Sequence, residues 1–227
     1  MSGRYGKRNS VYSVCLNIIG KTCVVIGGGA VAQRKVIGIL RSGGEARVIS
    51  PELTDELKTL ADQHQIEWVA RTYVEGDLEE AFLVFAATDQ PEVQEQVCRE
   101  ADERKILLNQ VDAPQSCGFH VPATVHCGDI TVAVSTNGRS PAVSALLRGH
   151  LEKMIGPEFS LLLEVAATAR SRLLAEGGSD HLLHGLVDET LLDLIREKNL
   201  DAVRERLARS FGGECPRELV TLLEEHR

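Results

Sequence analysis

The sequence is poor in aromatic residues, which make up 4% of its 227 positions. Its core must therefore be built from aliphatic side chains, and the 43% hydrophobic content supplies them. No apolar run approaches the roughly 20 residues that a membrane-spanning helix requires. The basic start over residues 1–8 is followed by no sustained apolar segment, so it does not read as a signal peptide. Positive charge is in deficit. Twenty-five Lys and Arg against 33 Asp and Glu leave a net charge of −8, which argues against nucleic acid as a general partner. Six cysteines are present, but none forms a C-x-x-C pair, and no His/Cys spacing marks a preformed metal site. They are expected to be reduced and mostly buried, in a chain expected to be cytoplasmic. No internal repeat or low-complexity segment is found.

What the sequence does carry is concentrated at one stretch. Cys23-Val24-Val25-Ile26 is a short apolar run leading straight into Gly27-Gly28-Gly29. Ala32, Val36, Ile39 and Leu40 then recur on one face of a helix. Gly27, Gly29 and Ala32 fit G-x-G-x-x-G/A, the dinucleotide-binding fingerprint. Gly27 permits a tight strand-to-helix turn. Gly29 removes a side chain where a pyrophosphate must approach the backbone. Ala32 lets the helix pack close to the strand. Ala30, Val31 and Ala32 then belong to a helix N-terminus whose N–H groups and dipole favour phosphate. The next strand, Ala46-Arg47-Val48-Ile49, ends at Ser50-Pro51-Glu52, where a ribose is expected. The strand's end carries Ser50 rather than an Asp or Glu. No Arg follows Ser50 closely to hold a 2′-phosphate, which favours NAD over NADP. Ser50 reads as a helix N-cap, with Pro51 at the first position and Glu52, Asp55 and Glu56 in the first turns.

From residue 21 to residue 112 strands and helices alternate. Residues 66–70 read as a strand and 78–80 as a short helical connection. Residues 81–87 form a continuous apolar run, the mark of a central parallel strand, ending at Thr88-Asp89. Pro91 opens a helix. Residues 106–111 are a further strand, ending at Asp112-Ala113-Pro114. The fold class is therefore α/β, a Rossmann-type parallel sheet domain over 1–114. Ligands lie off the carboxyl ends of such strands, the edge shared by the glycine turn, Ser50, Thr88, Asp89 and Asp112. A small α+β segment over 115–155 follows. It has a hairpin turn at His126-Cys127-Gly128-Asp129, a strand over 130–135, and a helix with Ser140 as N-cap and Pro141 at its first position. Val143, Leu146, Leu147, Leu151 and Met154 are expected to face inward. Residues 156–227 form an all-helical C-terminal region, with helices expected at 161–174, 181–197, 200–211 and 216–226.

Four motifs stand in order: Val25-Ile26-Gly27-Gly28-Gly29-Ala30-Val31-Ala32-Gln33-Arg34-Lys35, Ala86-Ala87-Thr88-Asp89, Asn109-Gln110-Val111-Asp112-Ala113-Pro114, and Val132-Ala133-Val134-Ser135-Thr136-Asn137-Gly138-Arg139-Ser140-Pro141. Over roughly 12–155 the chain resembles the precorrin-2 dehydrogenases, including the N-terminal module of siroheme synthase. The resemblance implies NAD-dependent oxidation of precorrin-2 to sirohydrochlorin, in a homodimer built through the segment after residue 115. In some members the same site also inserts ferrous iron, and the motifs do not separate the two activities. Asp112 matches the family's catalytic aspartate. Read from its position alone, it is a base beside the predicted nicotinamide or a turn residue before Pro114. Thr136 matches a position, commonly Ser, tied to substrate binding. Ser135, Asn137, Gly138 and Arg139 surround it, and His120 is a further substrate candidate or a structural histidine. Arg139, Arg148, His150 and Lys153 form a cationic patch suited to a substrate rich in carboxylates. The chain stops about where a fused methyltransferase would begin, so a separate protein is expected to supply precorrin-2. A reading of another class is an NAD-sensing module without catalysis, in which Asp112 and the 135–141 motif have no chemical role.

Overall fold

The computed structural model describes residues 11–111, 117–175, 177 and 185–226. They fall into two compact units, divided between Val121 and Pro122.

The first unit is built on a five-stranded parallel sheet in the order β3-β2-β1-β4-β5. Its elements are β1 (Thr22–Ile26), α1 (Ala30–Arg41), β2 (Glu45–Ile49), α2 (Asp55–Asp62), β3 (Glu67–Val69), β4 (Leu83–Ala86), α3 (Pro91–Glu103) and β5 (Leu107–Gln110). The two-residue period of β1 divides the core. Cys23 and Val25 pack with Val36 and Ile39 of α1 and Leu57 of α2, while Val24 and Ile26 pack with Val97 and Ala101 of α3. Helices thus cover both faces, which is why β1 from Cys23 onward and all of β4 are apolar and buried. The strand order reverses at β1, which stays paired with β2 and β4 to its last residue; the connections leaving β1 and β4 run in opposite directions, and a crevice lies off their carboxyl ends.

Helix α1 stops where the sequence says it should. Gly43 has φ +73°, and the Gly43 and Gly44 N–H groups donate to the Leu40 and Ile39 carbonyls. Helix α2 does not start where expected. Its N-cap is Thr54, whose Oγ1 accepts from the Leu57 N–H, and the helix begins at Asp55. Ser50 is occupied otherwise. Its N–H donates to the Val69 carbonyl, and its own carbonyl accepts from the Trp68 indole at 2.9 Å. Residues 50–53 therefore remain a non-helical link with a bend at Pro51. Thr54 also donates its hydroxyl to Gln33 Oε1 at 2.6 Å and its N–H to the Gly28 carbonyl. Thr54→Ala is expected to lower stability by about 1 kcal/mol, read as a shift in the urea midpoint. One further expectation is corrected: residues 75–80 form turns rather than a helical connection.

The second unit opens with an antiparallel hairpin, β6 (Ala123–Cys127) and β7 (Ile130–Val134), whose turn is Gly128-Asp129 with Gly128 at φ +53°. Helix α4 (Pro141–Met154) follows, capped by Ser140 Oγ accepting from the Val143 N–H, with Pro141 in the first turn. Within one chain its apolar residues do not face inward. Leu146 is 62% and Met154 67% exposed, and Val143 and Leu147 are exposed as well. Helices α5 (Glu158–Ala175), α6 (Glu189–Arg196), α7 (Leu200–Ser210) and α8 (Arg217–Glu225) then form a core of their own. Leu161, Val165 and Ala169 line one face of α5 and meet Leu191, Ile195, Val203, Leu207, Leu219 and Leu223. Part of the expected helix 181–197 lies outside the described residues.

Candidate dinucleotide-binding site

A cleft of about 360 Å³ opens at the carboxyl ends of β1, β2 and β4. Its walls include Gly27, Gly28, Gly29, Ala30, Val31, Ser50, Pro51, Thr88 and Asp89, so most of the cofactor residues expected from sequence meet there. Ala32 lies fully buried beneath the turn, where its small size allows α1 to sit on the sheet. Glu52 is exposed, and its carbonyl, not its carboxylate, is the part that bears on the turn.

The three glycines have different reasons to be there. Gly27 sits at φ +114°, and a Cβ would come within 2.4 Å of the Ala87 carbonyl oxygen. At Gly28 a Cβ would lie 1.9 Å from the Glu52 carbonyl oxygen, because the 50–53 link passes directly over the turn. Gly29 differs: a Cβ there would meet nothing within 4 Å. The fold does not need a glycine at that position; a ligand approaching the backbone does.

Helix α1 supplies the second half of the fit. Its N-cap is Gly29, with no side chain capping it and no acidic residue in its first turn. By contrast α2, α4, α6 and α7 are capped by Thr54, Ser140, Asp188 and Asn199, and α3 and α8, which also lack a side-chain cap, carry Glu92 and Glu218 in their first turns. The first-turn N–H groups of α1 thus lack a protein acceptor from a cap, and the partial positive charge of the helix is uncompensated where the cleft begins. A pyrophosphate fits that end.

Elsewhere the cleft is stiffened by partly buried polar contacts. The Gln94 side-chain amide donates to the Thr88 carbonyl at 2.6 Å. Gln110 Nε2 donates to Gln94 Oε1 at 3.0 Å, and the Cys98 thiol reaches Gln110 Oε1 at 3.4 Å. This row ties the end of β4 to the end of β5. On the other side, the Tyr73 hydroxyl donates to Glu100 Oε2, which also accepts from the Gly76 N–H, while Arg104 Nε donates to Glu100 Oε1. Burial alone would raise the Glu100 pKa. The bonds from Tyr73, Gly76 and Arg104 outweigh it and hold the carboxyl below its ordinary value. Burial, reinforced by the bond to Glu100, keeps the Tyr73 phenol protonated well above its usual range. Gly28, Thr72, Tyr73 and the Gln94–Gln110 pair were not selected from sequence. Gly28 occupies a variable position of the fingerprint, and the others are brought in by tertiary packing that no local spacing encodes.

The six cysteines form no disulfide. Burial pushes the Cys23 thiol to about 11, so it is unreactive near neutrality, whereas Cys15 is exposed, contrary to the general expectation.

The expected substrate residues lie in two places. His120 is half-buried near the end of the first unit. Ser135, Thr136, Asn137, Gly138 and Arg139 form the β7–α4 turn of the second, with Asn137 at φ +53° and Gly138 at +73°. Ser135 Oγ accepts from the Asn137 N–H. Thr136 Oγ1 accepts from the Ser140 N–H and lies 3.1 Å from Ser144 Oγ, so this hydroxyl braces the start of α4. Arg139 is exposed, and Arg148 pairs with Glu152 on its own helix at 3.4 Å. Asp112 lies outside the described residues. Among the described residues no cluster of three or more His, Cys, Asp or Glu could hold a metal ion, and no helix is long and apolar enough to cross a membrane.

The crossover topology, the open glycine and the uncapped helix define a Rossmann-type dinucleotide-binding domain. Comparison with known proteins narrows this. Residues 14–123 match the family described as NAD(P)-binding, and residues 128–154 match the family described as sirohaem biosynthesis protein central. Over 160 residues the chain is 39% identical to a siroheme synthase of Nitrosococcus oceani, an overlap of 70% of this chain and 34% of that protein. Siroheme synthase 1 of Serratia proteamaculans is 37% identical over 150 residues, 66% of this chain and 32% of the relative. The chain thus spans about a third of the length of the curated relatives it matches. A solved structure described as SirC, precorrin-2 dehydrogenase, has the same fold, with a TM-score of 0.66 at 24% identity, covering 95% of this chain and all of that one. The chain is thus similar in sequence to siroheme synthases, and it carries both an NAD(P)-binding match and a sirohaem-biosynthesis central match.

Proposed function

We propose that this protein catalyses the NAD-dependent dehydrogenation of precorrin-2 to sirohydrochlorin. The observation that carries the reading is the glycine turn, with its open Gly29 and uncapped α1, on the same chain as a sirohaem-biosynthesis central segment. The reaction removes one hydride and one proton from the reduced macrocycle and forms a double bond. NAD, when bound, accepts the hydride. The protein's own part is to hold the two molecules in line, exclude water and take the proton. Asp112 is the proposed base; it follows β5 by two positions in the chain. Ser135, Thr136, Asn137, Gly138, Arg139 and His120 are proposed to hold the tetrapyrrole. NAD is favoured over NADP because Arg47 and Arg71 are engaged. Arg47 Nε pairs with Glu67 at 2.6 Å, and Arg71 grips Asp77 through both guanidinium nitrogens at 2.6 and 2.7 Å. The test is anaerobic turnover with NAD and with NADP. NADH formation dependent on precorrin-2 is expected, at a kcat/KM well above that for NADP.

A homodimer is proposed on the exposed apolar face of α4, in the 115–155 segment, with a second copy as the occupant. Leu146→Asp places a charge in that face. It is expected to turn a dimer into a monomer in analytical ultracentrifugation. A mass unchanged by the substitution would remove α4 from the interface.

A further inference from the structure

The cleft has a part that the phosphate and ribose contacts leave unassigned. With the pyrophosphate at the start of α1 and the ribose at the end of β2, the base must lie further along the same edge. There the wall is Thr72 and Tyr73, which follow β3, and Gln90 and Val93, at the start of α3. Tyr73 is 5% exposed and belongs to the core that also contains Val97 and Ala101, so its ring is a floor rather than a flap. Its height is set from below by Glu100, itself 4% exposed.

A carboxylate is an expensive way to fill that space. A leucine would pack there without desolvating a charge. Glu100 instead joins parts of the chain that are distant in sequence. One oxygen holds the Tyr73 hydroxyl and the Gly76 N–H, the latter from a residue at φ +101°, and the other holds Arg104 at the end of α3. The loop is closed on its outer side by Arg71 and Asp77, with Asp77 Oδ2 also accepting from the Val74 N–H at 2.9 Å. The segment 71–77 is therefore clamped at both ends, and the clamped residues border the cleft.

We infer that Glu100 is a positioning residue for the adenosine half of the dinucleotide, acting through Tyr73, whose ring forms the floor of the base subsite. This rests on the dinucleotide reading above. It adds that affinity at the adenine end is set from the back of α3, by a residue that does not touch the ligand.

The test uses Tyr73→Phe, which removes one hydroxyl and keeps the ring, and Glu100→Gln, which keeps the shape and removes the charge. Binding of ADP, as a probe of the adenosine half, is measured by calorimetry beside NAD, and thermal midpoints are recorded. In each variant the Kd values for ADP and NAD are expected to rise by the same factor, about tenfold, as for loss of a hydrogen bond to a charged group. The same factor should appear in KM for NAD, not in kcat. Lowered midpoints with an unchanged Kd for ADP would show that the network only holds the fold, and would overturn the inference. A rise in Kd for NAD without one for ADP would place the effect elsewhere in the cleft, with the same consequence. If the unsubstituted protein binds neither ADP nor NAD, it is the dinucleotide reading itself that fails.

Discussion

Replacing Gly29 by valine is expected to weaken dinucleotide binding strongly and leave the fold intact, while replacing Gly28 by alanine is expected to damage the fold first. The backbone of Gly29, at φ −84° and ψ −173°, is open to any residue, and a side chain there meets no protein atom within 4 Å. The cost to the fold is that of a poor N-cap, about 1 kcal/mol. The cost to binding is larger, because a branched side chain then fills the path by which phosphate reaches the α1 N–H groups. A loss on the order of a hundredfold in affinity corresponds to roughly 2.7 kcal/mol. At Gly28 the clash is with the backbone carbonyl of Glu52, which cannot swing away as a side chain can. The link over the turn is itself tied down by the Thr54 N–H donating to the Gly28 carbonyl. Overpacking of this kind costs about 1–3 kcal/mol or more. Paired urea melts and NAD titrations on the two variants separate these effects. Equal loss of stability in both would contradict the division of labour within the turn.

The second large effect is expected at Asp112. Asp112→Asn keeps size and turn propensity but cannot accept a proton. If Asp112 is the base, kcat should fall by about 10²–10⁴-fold, the usual contribution of a positioned proton acceptor, while the Kd for NAD stays within error. If Asp112 only shapes the turn before Pro114, asparagine serves nearly as well there, and activity survives. Single-turnover kinetics with NAD saturating distinguish the two.

Much of the first unit was legible because parallel sheets covered on both faces impose a simple code. Buried strands read as unbroken apolar runs, and β4 and all of β1 but its first residue lie within the runs that announce them. Gly43-Gly44 and Ser140-Pro141 marked helix ends by local chemistry alone. The start of α2 was misread for a tertiary reason. Ser50-Pro51 is good capping chemistry, but the carbonyl of Ser50 is claimed by Trp68 and its N–H by Val69, so the helix waits for Thr54. The apolar stripe of α4 was identified correctly as a stripe, yet its direction was not, because periodicity says that a face will be covered and not by what. The site was legible to the same depth. The fingerprint named the turn that meets phosphate, while Tyr73 and Glu100, 27 positions apart, come together through packing that leaves no periodic trace.

The central claim is that this protein moves a hydride from precorrin-2 to NAD. The most direct measurement is the stoichiometry of one anaerobic reaction, with precorrin-2 limiting, NAD in excess and no added metal, in which NADH and sirohydrochlorin are quantified together. The account predicts that the two products appear in equal amounts, at the same rate, and only when both reactants are present. NAD binding without formation of either product would contradict it and favour a module that senses the dinucleotide without chemistry.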